Sequence, residues 1–257
     1  MNPKPKHGVF ILTRNEERHI EDCLKTCLFF DEIVIVDSGS QDRTVEIAQN
    51  YTKRIAKRPF THFLEQREYA VSLMESEWIF YLDADERIPD ALKNTILEFV
   101  NQEEYTLLEM PRRNYLLGKW IAHSGWYPDF QARLIQKKTL AFHAQIVHER
   151  LSTTGKSFRL DPKGNVYLMH YTCTDLAAYF QKINHYTSLE AVEHVQLSPL
   201  KMTPFGILTR SIGMFTQSYI HHKGYKDGFE GFIVAVFQLL SSFLLMMKIW
   251  EKRKQKT

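Results

Sequence analysis

Cysteine is scarce in this chain: Cys23, Cys27 and Cys173 are its three examples, unevenly spread. They are too few for a disulfide framework, and a reducing, cytosolic setting is expected. Cys23 and Cys27 stand four apart in a helical pattern, yet no further Cys or close His completes a metal set, so core packing is their expected role. Charge of one sign is not in excess either. The 33 Lys and Arg against 30 Asp and Glu leave a formal +3, too little to imply a nucleic-acid partner. The opening residues, MNPKPKHG, carry no apolar run, and no signal peptide is expected there. Internal repeats and low-complexity tracts are missing. No G-x-G-x-x-G follows the first apolar segment, which argues against dinucleotide binding in the usual Rossmann manner. With 257 residues and 44% hydrophobic content the chain can bury a core, enough for one large α/β domain plus an appendage.

What is present is an alternation of short apolar runs and helical patterns. Residues 8–13 (GVFILT) read as a strand, after which Asn15 is placed to N-cap a helix with Glu16 and Glu17 at its positive end. Ile20, Cys23, Leu24, Cys27 and Leu28 recur at helical spacing. Strands are expected at 32–37 (EIVIVD), near 54–57 and at 78–82, with helices at 44–50 and 63–76 between them. Strand–helix alternation with short connections implies right-handed crossovers and a parallel sheet.

The fourth strand opens WIFYLDADERIP, the stretch that organises the rest. In an extended chain Asp83 and Asp85 face one side and Ala84 the other. Crowded carboxylates repel unless a cation joins them, and hard Mg²⁺ or Mn²⁺ suits them and can hold a diphosphate. The plainer alternative is a solvated strand end that caps the next helix. Two further strand ends carry polar clusters, Thr13/Asn15/Glu16 and Asp37/Ser38/Ser40/Asp42, and parallel strands place all three on one rim. There a carboxylate such as Asp37 can accept from ribose hydroxyls or a base N–H, or simply cap a helix.

T-x-N-E after the first strand, VDSGSQD after the second and LDADE after the fourth resemble, in order and spacing, the nucleotide-sugar domain of glycosyltransferase family 2. The resemblance implies the GT-A fold, an α/β Rossmann-like, mostly parallel sheet flanked by helices. It implies that Thr13, Glu16, Asp37 and Ser40 contact the nucleotide, with Asn15, Ser38 and Ala84 in the same set. Asp85 then binds the metal, and Asp83 reaches the ribose, or the metal through water. Gln66 and Arg67 in QREYA also match, although Glu68 stands where the family often has Asn. GKWIAHSGWYPDFQARLIQK, then VHERL and later KDGFEG, are similar to a subgroup typified by lipopolysaccharide-core β-1,4-glucosyltransferases. That subgroup implies a UDP-sugar donor, UDP-glucose as the best guess, inversion at the anomeric centre, and a lipid-linked or cell-envelope saccharide acceptor at the cytoplasmic membrane face.

An inverting transfer needs one general base to take the acceptor's hydroxyl proton. A metal stabilises the departing diphosphate, so no covalent intermediate is required. Glu149, Asp129 and Glu86 qualify by type. Glu149 follows an expected strand pair, 130–137 and 139–144, where the wider family carries its acidic base, and it is favoured; Asp129 is second. A salt bridge from Glu149 to Arg150 or Arg133 is the structural alternative. His170 ends an expected strand at 165–171, and the resemblance suggests it completes the metal shell; a hydrogen-bonded strand His is the plainer reading. Between an expected helix at 91–100, a strand at 105–111 and these sites lie Tyr115, Trp120, Trp126 and Tyr127, fit either to stack on a sugar or to anchor their loop.

From residue 174 the pattern turns helical, with helices expected at 175–196, from Pro204 to about 222, and at 229–248. Two regions follow: a catalytic domain at 1–172 and a helical region at 173–257, with 229–257 a membrane-associating helix and basic tail. The uninterrupted apolar part, 232–247, is shorter than the ~20 residues of a spanning helix. With Trp250 and the trailing basic residues it fits a peripheral anchor on anionic lipid, the alternative being a core helix or a homo-oligomer contact. Two other functions compete: a haloacid-dehalogenase-like phosphatase, whose nucleophile motif is also D-x-D, and a non-catalytic nucleotide-sugar-binding membrane scaffold.

Overall fold

The computed structural model describes residues 6–142, 151–197 and 203–255. The apolar runs of the first half form β1 (His7–Thr13), β2 (Glu32–Asp37), β3 (Ile55–Lys57) and β4 (Trp78–Asp83). They are joined by α1 (Ile20–Lys25), α2 (Thr44–Ala48) and α3 (Phe63–Leu73). These strands pair in the order β3-β2-β1-β4, all parallel. Their side chains alternate, so both faces are buried. Val9, Ile11, Ile35, Phe80 and Leu82 share a core with Ile20, Cys23, Leu24 and Cys27 of the first helix and its end. Phe10, Val34, Val36, Ile79 and Tyr81 join Ala70 and Met74 in a second core. The two cysteines are core residues, as their spacing suggested. Glu32, buried at the start of β2, accepts from the backbone N–H groups of Glu75 and Ser76 and from Arg54, tying β2 to the entry of β4.

The sheet is parallel only in this half. After β5 (Glu86–Arg87) and α4 (Asp90–Phe99), the chain runs through β6 (Leu107–Leu116), β7 (Lys119–Trp120) and β8 (Asp129–Gln136). β8 inserts antiparallel between β4 and β6. β9 (Leu140–Phe142) does not extend this sheet, contrary to the expectation of a neighbour for β8; it pairs with β10 (Leu151–Thr153) in a separate two-stranded sheet. β11 (Ser157–Arg159) pairs with the start of β6, and β12 (Leu168–Cys173) runs antiparallel to β5.

By contacts the chain forms two compact units, one of Met1–Arg112 with Asp129–His170, the other of Arg113–Pro128 with Tyr171–Thr257. A boundary at 172 alone does not anticipate that the aromatic loop 113–128 groups with the C-terminal helices. The second unit holds α5 (Leu176–Leu197), α6 (Pro204–Thr216) and α7 (Gly228–Lys254). Thr203 caps α6 by accepting from the Gly206 N–H at 3.1 Å, with Pro204 at the first helical position. Its core gathers Leu116, Ile121, Cys173, Ile183, Val234 and Phe237. α7 continues past residue 248, with Lys252, Arg253 and Lys254 in the last turn, where cations favour the helix dipole. Among the described residues, 224–254 is the one helical stretch long and apolar enough to cross a membrane, judged by length and composition. KDGFEG proves a structural corner: buried Asp227 accepts from the His123 N–H at 2.9 Å and pairs with the His123 ring at 2.8 Å.

The start of α7 lies against the turn before it so closely that a Cβ on Gly231 would collide with the Gly224 carbonyl. Gly231→Ala is therefore expected to lower stability by ~1–3 kcal/mol, the usual cost of overpacking. A thermal unfolding scan that shows no loss would contradict this packing.

Candidate active site

The site is built on the C-terminal ends of β1, β2 and β4, which register side by side: Thr13 opposite Asp37, and Leu12 opposite Asp83. Beyond them the chain must turn. Asp37, 1% exposed, makes its turn by accepting from the N–H groups of Gly39 and Ser40 and from the Ser40 hydroxyl at 2.5 Å. Gly39 takes φ +93°, which a Cβ would strain. Asn15 does not cap α1 as expected; the cap position is His19. Asn15 instead adopts φ +57°, donates its N–H to Ser40 Oγ at 2.9 Å and accepts from the Gln41 N–H at 2.8 Å. The Glu16 N–H reaches Thr44 Oγ1 at 2.7 Å, and the Ser38 N–H reaches the Thr13 carbonyl at 2.9 Å. Helix-capping chemistry is thus used between loops, and it sews the first two rim segments together.

Among the described residues, buried polar atoms at this site without a hydrogen-bond partner include Thr13 Oγ1, Gln66 Oε1 and Arg133 Nε. Gln66 spends its amide donors on the carbonyls of Arg58 and Pro59, which pins the segment after β3 and leaves the acceptor oxygen over. A buried polar atom left unpaired costs free energy, and such atoms are where a polar ligand is expected to bind.

The D-x-D splits. Asp83, the last residue of β4, accepts from the Tyr81 hydroxyl and, at 2.7 Å, from Arg133 Nη2 on β8. Burial alone would push its carboxyl up, but the Arg133 charge prevails and holds it below the usual carboxylate range. Burial and the Asp83 charge push the Tyr81 phenol up to about 12, so it stays a donor. Arg67 Nη2 meets the same phenol oxygen at 3.3 Å, and its guanidinium lies over the Tyr81 ring. Asp85, in the turn after β4, meets His170 of β12: Asp85 Oδ2 and His170 Nε2 are 3.2 Å apart. Ala84 between them is buried, and its carbonyl accepts from Arg87 at 2.9 Å. Of the three expected metal residues, the structure therefore brings Asp85 and His170 together, while Asp83 is bonded to Arg133 and Tyr81. No group of three His, Cys, Asp or Glu among the described residues is arranged to hold an ion.

Arg133 is the hub that sequence reasoning missed as such. It is 3% exposed and bridges Asp83 to Glu86, which is wholly buried, at 2.6 Å. Glu86 also accepts from Arg112 at 2.9 Å and from the Asp83 N–H at 3.0 Å. Burial opposes the Arg133 charge, but Glu86 and Asp83 outweigh it and keep the guanidinium firmly protonated. Glu86 is thus wholly buried and held by two guanidinium groups and a backbone N–H. Asp129 is in reach of solvent but engaged, accepting from Arg112 Nε at 2.8 Å and from Gln131 at 2.6 Å. Glu149 and Arg150 lie outside the described residues. His19 is a second residue not foreseen: its ring feels the Asp85 charge, yet burial wins and lowers its pKa. The signal for Arg133 was there to read, since a charge inside the apolar run ARLI must be buried and so must be paired.

Removing one partner of a buried ion pair leaves the other uncompensated. Arg133→Met is expected to destabilise the fold by ~3–5 kcal/mol in denaturant unfolding, and adding Glu86→Gln to recover part of that loss. Asp83 adds a pH signature. Its folded carboxyl is depressed, so its contribution is present above the unfolded value of ~3.9 and lost as pH falls through the folded one. The stability gap between the native chain and Asp83→Asn should accordingly close on acidification; a gap independent of pH would contradict the pairing.

Comparisons with known proteins meet this geometry. The family model described as Glycosyl transferase family 2 matches residues 8–154. The lipopolysaccharide core biosynthesis glycosyltransferase LpsC of Rhizobium meliloti is 28% identical over 269 residues, covering 100% of this chain and 96% of that protein. An uncharacterised glycosyltransferase of Rickettsia typhi is 26% identical over 256 residues, covering 96% of this chain and 87% of that protein. Among solved structures, S. aureus TarS 1–349 superposes with a TM-score of 0.46 at 14% identity, covering 98% of this chain and 92% of that one. The matched span contains all three rim segments and the hub arginine, and it exceeds half of the chain. The chain belongs to glycosyl transferase family 2 and is a glycosyltransferase.

Proposed function

We propose that the protein transfers a hexose, with UDP-glucose as the donor of choice, to a lipid-linked or cell-envelope saccharide, inverting the anomeric centre. The observation that carries the reading is the Asp85–His170 pair beside a rim whose polar loops are already bonded into place. A carboxylate oxygen and an imidazole nitrogen suit Mn²⁺ or Mg²⁺ as a partial ligand set that diphosphate oxygens and water can complete. When bound, such an ion would neutralise charge on the leaving diphosphate. Asp85 and His170 would hold it. The protein's own tasks are the others. The orphaned Thr13 Oγ1 and Gln66 Oε1 are suited to pair with the nucleotide, with Asp37, Ser38, Ser40, Asn15, Glu16 and Ala84 shaping the walls. Asp83, already held by two donors, keeps lone pairs for a ribose hydroxyl. Arg67 and Arg133 place positive charge near the leaving group.

Four guanidinium groups, Arg67, Arg87, Arg112 and Arg133, stand among the carboxylates of Asp83, Asp85, Glu86 and Asp129. The cluster therefore has no surplus negative charge to attract a divalent ion alone. The ion is expected to bind tightly only with the diphosphate.

For the proton, Glu149 is our base and Asp129 the second choice, since Asp129 must leave Arg112 to act. The relation to LpsC supports an acceptor in the cell envelope. The apolar C-terminal helix and its basic end support attachment at the cytoplasmic membrane face. The family assignment removes the phosphatase reading.

Three outcomes check this. Mn²⁺ titrated by calorimetry should bind at least ~10-fold more tightly with UDP present than without it, a difference of ~1.4 kcal/mol. Asp85→Ala should abolish metal-dependent UDP release from UDP-glucose while keeping the unfolding temperature; full activity in EDTA would sink the metal reading. Glu149→Gln should lower kcat by ~10²–10⁴ with little change in donor affinity, whereas a crippling Asp129→Asn would move the base there.

A further inference from the structure

α6 buries Ile207 and Ser211 on one side and leaves a second apolar row in the open. Phe205, Leu208 and Ile212 are exposed, and with half-buried Phe215 they recur at i, i+3, i+7 and i+10, a single stripe along the helix. Phe205 is 77% exposed, an extreme value for a phenylalanine in a folded chain. The row does not stop with the helix. The Phe215 ring meets Phe232 of α7 at 5.9 Å, Phe232 stacks with Phe229 at 6.2 Å, and Phe229 is 71% exposed. Exposed Ile220 and Tyr225 lie in the connecting turns.

The charges beside this ridge have one sign. Of the cations between residues 203 and 232, all exposed, Lys223 and Lys226 lie in the turns with Ile220 and Tyr225, while the helical spacing puts Arg210 on the side of α6 away from the apolar row. The acidic residues there are two, and neither is available. Asp227 is buried against His123, and Glu230 is paired with Lys119 at 2.8 Å. α7 buries Val234, Ala235, Phe237, Met246 and Ile249, which cannot face lipid without opening the unit's own core, and leaves Phe243, Met247 and Trp250 exposed as single residues further along.

We propose that the ridge from Phe205 through Ile212 to Phe229 is the surface by which the protein lies on an anionic bilayer, in the plane of the interface. The proposal rests on the membrane reading above and deepens it, since it places the contact on α6 and the head of α7 and leaves the basic tail of α7 an accessory. A large apolar row with lysines at its end matches a leaflet of anionic headgroups over an acyl layer. A second copy of the chain would bring like charge against like.

The test is flotation of the full chain with vesicles of phosphatidylcholine alone and of phosphatidylcholine mixed with phosphatidylglycerol. The native chain should float with the anionic vesicles. The triple variant Phe205→Ser, Leu208→Ser, Ile212→Ser alters exposed side chains only and should lose that binding by ~10²-fold or more, from the apolar area withdrawn. Lys252→Gln with Arg253→Gln and Lys254→Gln should still float. A native chain that stays at the bottom, a triple variant that floats as well as the native, or a tail variant that alone abolishes binding would each overturn the proposal. So would size-exclusion chromatography showing a native dimer that the triple variant splits. UDP release from UDP-glucose, measured on the same proteins without vesicles, separates the two readings: its absence in the native chain rejects the donor assignment and leaves the flotation result standing.

Discussion

A buried guanidinium between the wholly buried Glu86 and the half-buried Asp83 is the constraint on which the site depends. Arg133 joins the end of β4 to Glu86, and Glu86 returns a bond to the Asp83 backbone. Charges withdrawn from water are tolerable only when paired in good geometry, so these groups fix one another's positions. The antiparallel insertion of β8 beside β4 follows from the same need, because it brings Arg133 beneath the D-x-D. Without that strand, Asp83 and Asp85 would be two repelling carboxylates at a sheet edge. With it, Asp83 is settled and Asp85 is left to meet His170.

The rim loops obey a related economy. Residues of the capping type are bonded across to the neighbouring loop, Asn15 by its N–H to Ser40 and its side chain to residue 41, and Thr44 by its hydroxyl to residue 16. The result is a rim set in place before any ligand arrives, which lowers the entropy cost of holding a flexible nucleotide sugar. The oxygens left unpaired on Thr13 and Gln66 are exceptions to full hydrogen bonding of the kind that such a rim needs.

Much of this was legible in the sequence, and for a physical reason. β1, β2 and β4 are buried on both faces, so they appear as unbroken apolar runs ending in a polar residue, and their ends locate Thr13, Asp37 and Asp83. β6 was legible only in part: past Pro111 its apolar pattern breaks, because Arg112 serves an ion pair and Arg113 a ring contact. Asn15 was misread as a cap because capping and loop-to-loop bonding use the same residue types. Pairing of β9 with β10 depends on partners distant in sequence, which no local pattern states. The base is the least legible part, since Glu149 was chosen by resemblance and Asp129 is held by a distant arginine.

Within the helical unit, residues of α7 that meet Ile183 and Cys173 are spent on its own core, while Phe229, Phe232, Phe243, Met247 and Trp250 stay open on α7 as Phe205, Leu208 and Ile212 do on α6. The central claim, however, concerns Asp85 and His170. Pulsed electron paramagnetic resonance of Mn²⁺ bound with UDP reads it most directly. One coordinated imidazole nitrogen, lost in His170→Ala and kept in His19→Ala, is the result expected; a spectrum with no imidazole coupling, or one that survives His170→Ala, would contradict the account.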